Sequence, residues 1–164
     1  QSVDPLIRFG IIPEGGVKSA VGVPSTEGIV FEVTIDRTDP AFVYHLARWF
    51  DLNYERFKKR HPDNTFKNRD TLLKGLRQTF IPCHEGLIEY LKELGVWTGA
   101  HEARQKENIE LINRYCEAYH RAIEEADDLQ IVVDPKNPDW QKFWNDYKRK
   151  LNIPDFKLFD DLPR

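Results

Sequence analysis

Apolar and polar positions along this chain follow two different periods, and the change of period marks its elements. Between Glu27 and Ile35 the apolar run is nearly unbroken: Ile29, Val30, Phe31, Val33, Thr34 and Ile35 are β-branched or aromatic, and Gly28 leads in. That pattern predicts a strand covered on both faces, within a sheet that has helices packed around it. From Asp39 the period lengthens. Asp39-Pro40 is a helix start, and Val43, Leu46, Ala47, Phe50, Tyr54 and Phe57 mark one face as far as the stop at His61-Pro62. A second helix is predicted over about Thr71 to Thr79, with Asp70 as its cap and Leu72, Leu73 and Leu76 inward. Pro82 then breaks the chain, Leu87, Tyr90, Leu91 and Leu94 recur at helical spacing, and Gly95 is the stop.

Beyond Trp97 the spacing of Ile109, Ile112, Cys116, Tyr119, Ile123 and Ala126 predicts a long amphipathic helix lying on the domain. Ile131-Val132-Val133 reads as a short strand. Asn137-Pro138 starts a last helix whose face is Trp140, Phe143, Trp144, Tyr147 and Leu151, and the tail from Asn152 is an extended arm docked through Phe156, Leu158 and Phe159. Residues 1–26, with Pro5, Pro13, Pro24 and the Gly15-Gly16 pair, read as irregular or extended, turning at Ile12 to Gly16. No repeat, low-complexity stretch or flexible linker divides the chain.

Composition changes this picture little. The 164 residues, 40% hydrophobic and 31% charged, suffice for one domain with a core. A net charge of −3 gives no electrostatic reason to expect nucleic acid. The basic runs Lys58-Lys59-Arg60-His61 and Lys148-Arg149-Lys150 fall at the ends of predicted helices, where positive charge complements the dipole. No apolar run is long enough to span a bilayer. There is no signal peptide, but the chain starts at Gln1 and contains no methionine, so it is expected to be a processed chain or an excised fragment. The two cysteines, Cys83 and Cys116, leave a disulfide open.

Little in the sequence points to catalysis: no nucleophile elbow, P-loop or dinucleotide fingerprint occurs, and no catalytic residue is assigned. Cys116 and His120 are four apart, and with Cys83 and His84 they could complete a tetrahedral metal set. The expected position of Cys116 on a core stripe argues against that, and neither a metal nor a cofactor is expected. His84 stands at a helix start, either donating to a ligand carboxylate or, as the favoured reading, capping the turn by a hydrogen bond.

The run Pro82, His84, Gly86, Tyr90, Glu93 and Gly95 resembles the C-terminal signature of the TAXI family, the solute-binding proteins of one class of TRAP transporters. Glu85 and Leu87 depart from the proline and alanine usual there, and Pro13 and Gly15 fit an upstream family turn that here lacks its tyrosine. The resemblance covers roughly residues 10–97. It implies an α/β, helix-rich fold: one lobe or partial lobe of a periplasmic-binding-protein-like (type II) architecture over residues 1–97. Residues 98–164 would be a helical extension packed on it, not an independent domain. It further implies an extracytoplasmic or periplasmic protein that captures a small organic solute, by default a carboxylate, and hands it to membrane subunits of an ion-driven transporter. Gly15, Gly16, Lys18 and His84 are the candidate ligand-binding residues. The alternative is a self-contained helical interaction module that binds another protein through the Ile109–Ala126 or Trp140–Tyr147 face. A small metal protein comes third.

Overall fold

Short-range hydrogen bonds set most of the element boundaries. The computed structural model describes residues 8–12, 17–27, 31–154 and 156–159, and absences noted below are absences among them. The chain is helix-rich with one small sheet. Helix α1 (Pro40–Leu52) begins as Asp39 and Pro40 dictate, the aspartate accepting the Ala41 N–H at 2.9 Å. It stops well short of His61. Asn53 leaves helical geometry at φ −109°, ψ 10°, and its side-chain amide donates to the Trp49 carbonyl at 3.0 Å. A single turn, α2 (Tyr54–Phe57), follows, and a 3-10 turn, Pro62–Phe66, closes the segment.

Helix α3 (Arg69–Arg77) is capped by Asn68 in place of the expected Asp70, because the Asn68 Oδ1 reaches the Thr71 N–H at 2.9 Å. Helix α4 (Glu85–Glu93) is followed by Gly95 at φ +70°, a left-handed exit that glycine adopts without steric cost. Helix α5 (Gly99–Asp128) also exits through a left-handed residue, Gln130, and the Ile131 N–H returns to the Ala126 carbonyl at 2.8 Å. Ile131 to Val133, expected as a strand, is therefore spent closing a helix. Asn137 caps α6 (Pro138–Leu151) by accepting the Asp139 N–H at 3.0 Å.

The strand expected from Glu27 to Ile35 is not formed as such. Strand β2 (Pro24–Glu27) pairs antiparallel with β1 (Arg8–Ile11), Gly10 facing Ser25, and 31–35 lies outside any strand. Residues 28–30 fall outside the described part. Val33 and Ile35 are exposed, so the β-favouring residues find no neighbouring strand to pack against.

Two compact units emerge. The first comprises residues 1–79, 83–98 and 158–164. Its core is Leu76, Ile88, Leu91, Trp97 and Phe159, flanked by Leu72, Leu73, Cys83, Leu87 and Val96. Phe159 is fully buried and its ring lies 6.0 Å from that of Trp97. In the same unit α1 packs on α4 while burying none of its own residues completely, so the face expected from Val43 to Phe57 is only half covered.

The second unit comprises residues 80–82 and 99–157. Its core sets the small residues Ala118, Ala122 and Ala126 of α5 against Trp140 and Tyr147 of α6. The buried face of α5 continues through Arg104, Asn108 and Leu111, about one position out of phase with the predicted stripe. Ile109 and Tyr119 are consequently exposed, and so is Cys116, which the sequence had placed in the core. Two features explain the offset. Alanine lets the large rings of α6 approach closely, and Asn108 satisfies its burial by donating to the Lys157 carbonyl at 3.2 Å. The tail docks in the same unit: Phe156 stacks between Phe80, at 4.3 Å, and Tyr115, at 4.9 Å. No described helix is long and apolar enough to cross a membrane.

Candidate functional site

Four residues of the signature, His84, Gly86, Tyr90 and Glu93, lie where α4 crosses α1. Gly86, in the first turn of α4, is pressed against the α1 backbone: a Cβ there would stand 2.1 Å from the Pro40 carbonyl oxygen and 2.8 Å from the Tyr44 nitrogen. Only a residue without a side chain permits this approach. One turn onward, the Tyr90 hydroxyl donates to Asp51 at the far end of α1, and Tyr44 of α1 donates back to Glu93. Arg69 of α3 also donates to Asp51, its Nε at 2.8 Å, so one carboxylate ties three helices together. The Tyr44 and Tyr90 rings meet edge to face at 6.0 Å between these two bonds.

These contacts shape the electrostatics. Burial pushes Asp51 upward, but the hydrogen bonds from Arg69 and Tyr90 together hold its carboxyl below the usual range. Burial and then the bond to Asp51 raise the Tyr90 phenol, while the bond to Glu93 raises that of Tyr44. Arg48 adds a longer contact to Glu93 at 3.6 Å, between two half-exposed side chains that contribute little. Both carboxylates are thus committed to holding helices together.

His84 caps α4: its Nδ1 accepts the Gly86 N–H at 3.2 Å. Acceptance at Nδ1 fixes the neutral tautomer with its proton on Nε2. That nitrogen is buried and has no hydrogen-bond partner among the described residues. Lys18 opens a one-turn 3-10 helix, Lys18–Ala20, and is exposed. Gly15 and Gly16 lie outside the described residues. Of the two predicted ligand residues that are described, His84 belongs to the α1–α4 junction and Lys18 to the 3-10 turn.

Burial pushes the Cys83 thiol up to about 12, so it is an inert core group, and Cys83 and Cys116 are not bridged to each other. No cluster of three or more metal-ligating side chains occurs among the described residues. In the second unit a shallow depression of about 370 Å³ is lined by Phe143, Asp146, Tyr147, Arg149 and Lys150, with Arg149 already bonded to Asp146.

Sequence reasoning named Gly86, Tyr90 and Glu93 through the signature but missed Asp51, Tyr44 and Arg69. No local signal marks them, since each acts on a helix remote in sequence. Comparison with family models, with curated proteins and with solved structures finds no match to this chain.

Proposed function

We propose that the chain is the C-terminal portion of an extracytoplasmic solute-binding protein of the TAXI type. It would be part of a two-lobed, periplasmic-binding-protein-like receptor that closes over a small carboxylate and delivers it to the membrane subunits of an ion-driven transporter. It would be a receptor and not an enzyme. The observation that carries this reading is the α1–α4 junction. Four of the six residues of the resemblance, His84, Gly86, Tyr90 and Glu93, have defined tasks there as cap, close contact and two cross-helix bonds. Gly86, Tyr90 and Glu93 stand four and three residues apart on α4 and so share the face turned towards α1. In this reading exposed Lys18 supplies a cation for the solute, and His84 caps the start of α4.

The test uses the polypeptide encoded by the whole reading frame. A thermal-shift screen of mono- and dicarboxylates should raise its melting temperature with at least one compound, and Lys18→Ala should abolish that shift. A full-length protein that no carboxylate stabilises would defeat the reading.

A helical interaction module remains the second reading, favoured by one observation. Phe42, Leu46 and Trp49 line one face of α1 and are 59%, 39% and 49% exposed. The face proposed for it on α6 is not available, because Trp140 and Tyr147 are buried.

A further inference from the structure

Facing residues in an antiparallel ladder alternate between pairs that exchange two backbone hydrogen bonds and pairs that exchange none. The β1–β2 register sets Phe9 opposite Thr26, Gly10 opposite Ser25 and Ile11 opposite Pro24. Just beyond it, Ile12 donates to the Val23 carbonyl at 3.1 Å. Alternation then makes Gly10–Ser25 a bonded pair and leaves Phe9–Thr26 and Ile11–Pro24 unbonded. Pro24 demands the same parity, since it has no N–H to give. The N–H and C=O groups of Phe9 and Ile11 therefore point away from β2, and no described residue takes them.

The two edges of this ribbon are unequal. On the β2 side Pro24 interrupts the row of outward donors, so a continuous strand cannot add there. On the β1 side the row is intact. Phe9 and Ile11 share one face, are 70% and 67% exposed, and include neither the charge nor the proline that guards an edge.

We propose that the outer edge of β1 is a pairing surface for a second copy of this chain, joining the two ribbons into one four-stranded antiparallel sheet. The edge is complementary to itself. About a two-fold axis through Gly10, Phe9 faces Ile11 of the second copy and Ile11 faces its Phe9. Both members of each such pair turn their backbone groups outward, so each pair exchanges two hydrogen bonds. Each also sets an aromatic ring against a β-branched chain, a favourable cross-strand combination. With one competent edge per ribbon, association closes at two copies and does not grow into a fibre. The proposal stands apart from solute binding and does not rest on it.

Sedimentation velocity on the 164-residue chain over a range of concentrations tests it. A reversible monomer–dimer equilibrium with no larger species is expected. Ile11→Pro and Phe9→Lys should each weaken it about tenfold or more, while Thr26→Lys on the other strand should not. Backbone amide exchange of the unaltered protein gives a second reading that survives a misfolded variant: the Phe9 and Ile11 amides should slow as concentration rises. A chain monomeric throughout, or a dimer indifferent to both β1 changes, overturns the proposal. So would a monomer whose Phe9 and Ile11 amides are already protected, because that edge would then be covered within one polypeptide.

Discussion

The segment up to Phe66 and the segment from Leu72 onward treat their apolar side chains in opposite ways. Among the described residues, twelve of the large apolar side chains that stay exposed lie between Phe9 and Phe66 and six beyond, whereas every buried apolar one lies at Leu76 or later. Each such valine, leucine or phenylalanine forgoes part of the about 1.5–3 kcal/mol that complete burial contributes. The early segment is accordingly held by local caps and by the α1–α4 junction, and the later one by its cores. Helical order in the first is borrowed from the second.

Four changes probe that contrast. The largest effect is expected at Phe159, fully buried in the first unit's core: Phe159→Ala should cost about 3–5 kcal/mol in denaturant unfolding. Next comes Gly86→Ala, whose methyl has no room against the Pro40 carbonyl; a loss of about 3 kcal/mol is expected, with α1 amides exchanging faster than those of α6. Equal acceleration in both helices would show that the early segment does not depend on this contact.

Asp51→Asn should cost about 2 kcal/mol and flatten the acid limb of the stability profile. The sign follows from its depressed folded pKa. The contribution is complete above the unfolded carboxylate value near ~3.9, and is lost as pH falls through the lower folded value. Smallest of all, Phe42→Ser on the outer face of α1 should change stability by no more than about 0.5 kcal/mol. A larger loss would mean that this face is covered in solution.

The same contrast governs what could be read in the sequence. Asp39-Pro40, Asn137-Pro138 and Gly95 marked their helix ends correctly because capping involves residues two or three apart. The strand expected through Val33 and Ile35 failed because a strand needs a partner, and β-rich composition cannot supply one. The β1–β2 ribbon escaped notice for the converse reason: its four-residue strands carry too short a pattern to stand out. On α5 the apolar stripe misled by one position, since Arg104 and Asn108 are polar residues with buried places. At the junction, His84 was legible as a cap because its partner is two residues away. The Asp51–Tyr90 bond spans 39 positions, and no local pattern announces it.

Phe159 has a consequence for the order of synthesis. The first unit opens the chain, yet the ring that fills its core is translated after the whole of α5 and α6. On the ribosome that unit must wait, with the space beside Leu91 and Trp97 unfilled, until nearly all of these residues have emerged. Of the two units, the one whose residues begin to emerge earlier is the one that can be finished only last.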